Sequence, residues 1–203
     1  MRLPCIALIA MALGLSGCAT SYGTAADGFI TPQVGAAYLP LESGNFVVSH
    51  MGAAVVIAPG IAVTNAHNAN LLDPSVVIGG PGDYDLLYFR TDKTATLRAE
   101  APINGEEVIA YGQGADGQLR VSHGVIDKFW PAAFGYVSDA GPGFSGGPVV
   151  DAKSGALIGI TYGYIDNVDP KGRLMVAYDM AFVNSEFASV QNGKTAPQLS
   201  NNR

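Results

Sequence analysis

Ser145 lies in the run Gly141-Pro142-Gly143-Phe144-Ser145-Gly146-Gly147-Pro148, where Phe144 is its one bulky neighbour. Glycines allow tight, positive-φ turns in which backbone N–H groups converge, and converging donors stabilise an oxyanion that develops on an attacked carbonyl. A hydroxyl in such a concavity is a candidate nucleophile, although the same residues would also build a plain solvated turn. Serine needs a base to take its proton. The sequence offers His50, His67 and His123, all upstream of Ser145. Gly143-x-Ser145-x-Gly147 fits the nucleophile elbow of α/β-hydrolases, but in that fold the histidine follows the serine, so chain order excludes it. The best placed base is His67. It ends the stretch Gly52 to His67, in which two apolar runs flank Pro59-Gly60 and read as a β-hairpin that delivers the imidazole just past a strand end.

The elements that must carry these residues are strands. The chain has 203 residues with 26 Gly and 12 Pro, too much punctuation for a helix bundle, and the Val, Ile, Thr and Tyr runs between them suit short strands. The expected class is all-β, as one medium domain or two small ones. Strands are read at 46–50, 53–58, 61–64, 75–78, 85–90, 108–111, 118–122, 125–126, 148–150, 156–164 and 174–178. The polar stretch from Arg90 to Pro102 predicts a boundary between an N-terminal half at 41–98 and a C-terminal half at 99–190. Helix is expected only just after His67 and near Phe182 to Val190, and residues 191–203 read as a polar tail.

With both motifs in view, the chain resembles the trypsin-like, chymotrypsin-fold serine proteases of the bacterial cell envelope. Thr64-Asn65-Ala66-His67 is similar to their histidine motif and Gly143-Phe144-Ser145-Gly146-Gly147-Pro148 to their serine motif. Gly105 to Gly112, followed by Val121-Ser122-His123-Gly124-Val125-Ile126, looks like the opening hairpin of their second barrel. The resemblance covers about residues 45–165. It implies two six-stranded antiparallel Greek-key barrels with the active site between them. Ser145 is the implied nucleophile, His67 the base, and the N–H groups of Gly143 and Ser145 the oxyanion hole. The family places its acid at the head of a strand, which fits Asp85-Leu86-Leu87-Tyr88-Phe89-Arg90. Asp83 fits as well, but that register puts Asp85 inside an apolar strand, where an unpaired carboxylate costs several kcal/mol. Asp85 is therefore the expected acid. Its spacing from His67 is shorter than the family's, which predicts a trimmed first barrel.

Counting back from Ser145, Asp139 falls where trypsin-like members carry the acidic floor of the specificity pocket, which would favour Arg or Lys; the alternative is a solvated loop residue, with the small apolar preference that envelope members often show. Thr161, Tyr162 and Gly163 are the implied substrate-binding strand. Phe144 replaces the Asp that pairs with a cleaved N-terminus in the digestive members, so activation by that ion pair is not expected. The expected partner is a peptide or protein substrate; a catalytically silent lipoprotein that grips extended peptides along 160–164 is the alternative.

The N-terminus reads as a targeting segment. Met1-Arg2 precedes an apolar run to Leu15, and Leu15-Ser16-Gly17-Cys18 resembles the lipobox of bacterial lipoproteins. Cleavage would remove 1–17 as a signal peptide and leave Cys18 lipidated, with 18–40 as a tether to the membrane, by resemblance the outer one. The mature chain would then hold no cysteine pair to oxidise. It would keep 10 basic against 17 acidic side chains, a formal charge of −7. With no basic cluster, a nucleic-acid surface has no electrostatic support. Scattered histidines make no metal site, and no cofactor is expected.

Overall fold

The computed structural model describes residues 22–25, 30–45, 48–114, 116–169 and 172–193. Its elements in chain order are β1 (Thr24–Ala25), α1 (Pro32–Ala37), β2 (Tyr38–Asn45), β3 (Val48–Ala58) and β4 (Ile61–Thr64). Two 3₁₀ turns follow, Ala66–Leu71 and Pro74–Val76, then β5 (Val77–Gly79) and β6 (Leu87–Arg90). The second half holds β7 (Glu107–Gln113), β8 (Leu119–Trp130), β9 (Ala133–Ser138), β10 (Pro148–Asp151), β11 (Leu157–Asp169), β12 (Gly172–Asp179) and α2 (Met180–Gln191).

The C-terminal strands form a closed antiparallel barrel in the order β8-β7-β10-β11-β12-β9, with β9 pairing back onto β8. Alternation along the strands turns one face inward, and Val108, Ala110, Ile126, Phe134, Tyr136, Val149, Ile158, Met175 and Ala177 fill the interior. Phe144 joins them from the serine turn, fully buried, so its ring anchors that turn to the barrel core. The N-terminal half is a five-stranded sheet, β2-β3-β4-β6-β5, with no closing pair among the described residues. The chain between His67 and Asp85 accounts for the difference from a sixth-strand barrel. Its 3₁₀ turns and three-residue β5 leave no length for another strand.

In β3, Ala53 and Val55 face a core shared with the other half, while Ala54 and Val56 face an outer cluster with Leu41, Ala62 and Phe89. Burial on both faces explains why this strand reads as an unbroken apolar run. The shared core takes Val34 and Ala37 from α1 and Met180, Val183 and Val190 from α2. Both helices are capped. Thr31 Oγ1 accepts from the Val34 N–H at 3.3 Å, and Asp179 Oδ1 from the Phe182 N–H at 2.8 Å.

Helix is found where it is expected at Met180–Gln191, and as a 3₁₀ turn after His67. The 18–40 tether is corrected in part: Thr24–Ala25 pair with β8, α1 occupies Pro32–Ala37, and β2 begins at Tyr38. A six-residue helix and a two-residue strand are too short to leave a periodic signal.

Candidate active site

β4 and β6 are antiparallel neighbours with Thr64 opposite Leu87, so the residues just beyond those strand ends come together. His67 enters from one end and Asp85 from the other. His67 Nδ1 lies 2.6 Å from Asp85 Oδ2, and the His67 N–H donates to Asp85 Oδ1 at 3.0 Å. Asn65 fixes the approach, its amide donating to the Asp85 carbonyl at 2.9 Å. The Asp85 N–H donates to Tyr178 Oη at 3.2 Å. Burial pushes the Asp85 carboxyl upward, but the hydrogen bonds and charge of His67 outweigh it and hold the group below its ordinary value. Tyr162 stacks on Tyr178 with centroids 4.1 Å apart, giving Asp85 an aromatic wall. Asp83 is exposed.

Ser145 arrives from the other half. Its carbonyl accepts from the Ala53 N–H at 2.9 Å and from Asn68 Nδ2 at 3.0 Å. Asn68, buried and adjacent to His67, also donates to Thr64 Oγ1 at 3.0 Å, and Thr64 in turn donates to the Ala53 carbonyl at 2.7 Å. The nucleophile turn is therefore bonded to the same segment that carries the imidazole. A Cβ on Gly146, whose φ is 81°, would fall 2.1 Å from the Ala53 carbonyl oxygen, so only glycine permits this approach. Among the described residues, no hydrogen bond joins the Ser145 hydroxyl to His67.

The turn ahead of Ser145 is closed by the Phe144 N–H donating to the Gly141 carbonyl at 3.1 Å, with Gly143 at φ 94°. A positive φ at the third residue is type II geometry. In a type I turn the 142–143 peptide would be reversed, turning its carbonyl to the side where the Gly143 N–H now points. The Gly143 carbonyl accepts from the Gln113 N–H at 2.9 Å, which fixes the turn on β7. Among the described residues the N–H groups of Gly143 and Ser145 have no hydrogen-bond partner, while the Phe144 N–H between them has one.

Thr161 bonds through both backbone groups, accepting from the Gly146 N–H at 2.8 Å and donating to the Gly147 carbonyl at 3.0 Å. Its hydroxyl turns into the barrel onto Tyr136 Oη at 2.8 Å. Among the described residues β10 pairs with β11 only as far as Ile160, so from Tyr162 onward β11 has β12 on one side and an open edge on the other. Nothing lies within 4 Å of a Cβ on Gly163. Asp139 is exposed; it accepts from the Ser122 hydroxyl and borders a depression of about 680 Å³ with Thr24, Val125 and Ser138, whose lining includes none of Ser145, Thr161, Tyr162 or Gly163. Cys18 lies outside the described residues. Among the described residues, no cluster of His, Cys, Asp or Glu side chains is arranged to hold a metal ion.

Asn65, Asn68, Gln113 and Tyr178 are the supporting residues that sequence reasoning missed. Only Asn65 and Asn68 carried a signal, as polar side chains flanking the candidate base.

No protein-family model and no curated protein sequence matches the chain. Solved structures do. A serine endoprotease from Yersinia pestis superposes with a TM-score of 0.69 at 18% identity, over 80% of this chain and 65% of that one. The HtrA-type protease AlgW, solved with a tripeptide, gives 0.67 at 19% identity over 81% and 63%. Rv3671c from M. tuberculosis, solved in an inactive form, gives 0.63 at 16% identity over 81% and 93%. The chain thus spans less than two thirds of the first two chains. At these identities the likeness is one of architecture: the chain has the fold of HtrA-type, trypsin-like serine proteases.

Proposed function

We propose that the protein is a serine endopeptidase of the bacterial cell envelope, held at the membrane by lipid on Cys18. The catalytic part rests on one juxtaposition, a hydrogen-bonded His67–Asp85 pair beside a serine whose turn keeps two N–H groups unused among the described residues, and the anchor rests on the sequence Leu15-Ser16-Gly17-Cys18. His67 Nε2 takes the proton of Ser145 as Oγ attacks the carbonyl carbon of the scissile peptide. Asp85, on Nδ1, fixes the tautomer and stabilises the imidazolium. Charge gathers on the carbonyl oxygen in the transition state, and the Gly143 and Ser145 N–H groups receive it. The imidazolium then protonates the leaving amine, and water hydrolyses the acyl-enzyme by the same steps. The substrate lies extended along the open edge of β11 from Tyr162, as an added strand.

A serine-reactive fluorophosphonate tests this. Labelling of the wild type at Ser145, its loss in Ser145→Ala, and peptidase activity abolished about equally by His67→Ala are expected. The unbonded Ser145 hydroxyl favours a second reading, a silent peptide-binding protein. Binding of extended peptides without labelling or turnover would establish that reading instead.

A further inference from the structure

The N-terminal segment makes a packed contact with the oxyanion turn that the catalytic reading leaves unexplained. β1 adds a two-residue strand to the outside of the closed barrel, with Thr24 opposite Val121 and Ala25 opposite Arg120. Just before it, Gly23 takes φ 67°, and a Cβ there would fall 2.5 Å from the Val121 carbonyl oxygen and 2.9 Å from Phe144 Cζ. The segment therefore runs tight against the ring that anchors the serine turn.

Tyr22 lies on the turn itself. A Cβ built on Gly141 would sit 2.6 Å from Tyr22 Cγ, so the ring covers the first residue of the 141–144 turn. Arg173 closes over it. Its guanidinium lies 4.3 Å from the Tyr22 ring centroid and 5.1 Å from that of Tyr164, while Nη1 donates to the Ala140 carbonyl at 3.4 Å and Nε to Asp166 at 2.8 Å. One cation thus joins the N-terminal segment, the residue preceding the turn, and the β11 edge.

We infer that Tyr22 and Arg173 are positioning residues for the oxyanion turn, and that the intact N-terminal segment is a strap which keeps it in the type II form. The 142–143 peptide of such a turn reverses with little motion of its neighbours, so contacts at both ends decide which form persists. Gln113 holds the Gly143 carbonyl, Phe144 is buried in the barrel, and the strap covers Gly141. A docked strap needs no chain cleavage to form the two-donor site, which suits a position where Phe144 offers no charge to a new terminus. The inference rests on the endopeptidase reading only for its consequence on turnover.

The full chain carrying Tyr22→Ala, Tyr22→Phe or Gly23→Ala tests it. Gly23→Ala displaces the strap without removing a side chain. In Tyr22→Ala and Gly23→Ala, kcat should fall roughly 100-fold, the range for losing an oxyanion donor, with KM little changed. Affinity for a peptide aldehyde, whose adduct places an oxyanion at Gly143 and Ser145, should fall by the same factor. Tyr22→Phe keeps the ring and loses only the hydroxyl's contact with Arg173, so it should fall far less than Tyr22→Ala. The Gly143 amide belongs to the peptide that reverses, so its NMR resonance reads the turn independently of activity: it should move in the first two variants, while β10 and β12 amides keep theirs. Unchanged kcat and an unmoved Gly143 resonance would overturn the strap, as would Tyr22→Phe falling as far as Tyr22→Ala. A wild type inert to fluorophosphonate whose Gly143 resonance still depends on Tyr22 would overturn the endopeptidase reading and leave the strap standing.

Discussion

The two halves of the molecule solve the same problem differently. The C-terminal barrel closes on itself and fills its interior from its own strands and Phe144 of the serine turn, each strand pairing on both sides for at least part of its length. The N-terminal sheet stays open and borrows. Its inner face, with Ala53, Val55, Val63 and Tyr88, is completed by α1 and by Met180, Val183 and Val190 of α2, and the Tyr88 hydroxyl donates to the Val183 carbonyl at 2.7 Å. The half that carries His67 and Asp85 is thus packed by a helix that follows the half carrying Ser145. Burial at about 25 cal/mol per Å² of apolar surface couples the sheet to that helix, and also to Tyr111, Val121 and Ile160 of the barrel in the same core. The sheet and the barrel are therefore expected to unfold together.

The largest expected effect removes the N-terminal half's chemistry and leaves its packing alone. Asp85→Asn should lower turnover about 10⁴-fold, because the imidazole is left in the wrong tautomer. Its stability cost should depend on pH. The carboxyl sits below its ordinary value in the folded chain, so the stability it contributes is present above about pH 4 and lost as pH falls through the depressed value. The gap between wild type and variant in denaturant midpoint should therefore close toward low pH. If Asp83→Asn gives the large loss instead, the acid lies two residues upstream.

Next comes the packing itself. Met175 faces the closed barrel and Met180 the shared core, both almost fully buried. Truncation of either to Ala should cost about 2–5 kcal/mol. If the sheet depends on α2, Met180→Ala should move a single unfolding transition, reported alike by probes in both halves. A separate early transition of the N-terminal half would break the comparison.

The smallest effect is expected at Asp139. Its carboxylate is taken by the Ser122 hydroxyl at an exposed site. Cleavage profiles from a peptide library should then show Ala or Val before the scissile bond, unchanged in Asp139→Ala. A loss of Arg or Lys preference in that variant would return Asp139 to the pocket.

Residues placed by local chemistry were legible in the sequence. Thr64 to His67 and Gly141 to Pro148 stood out because a strand end and a glycine turn leave composition signals on adjacent residues, and the hairpin through Pro59-Gly60 and helix α2 were readable for the same reason. What was hidden depends on distant partners. Tyr178 meets Asp85 across 93 positions and Asn68 meets Ser145 across 77, separations at which no periodicity helps. The open sheet was half visible, since a short His67-to-Asp85 spacing limits strand count without saying what covers the gap. Tyr22 looked like part of a tether because one aromatic residue among Ser, Gly and Thr reads as linker composition.

That short strand also has a mechanical side. Tension on the chain upstream of residue 22 reaches the Tyr22 ring first, then two register pairs on β8, and only afterwards the closed barrel and shared core. On the strap proposal, a protein tethered through its N-terminus would under load lose that one turn's geometry before its fold, and regain it when the chain goes slack.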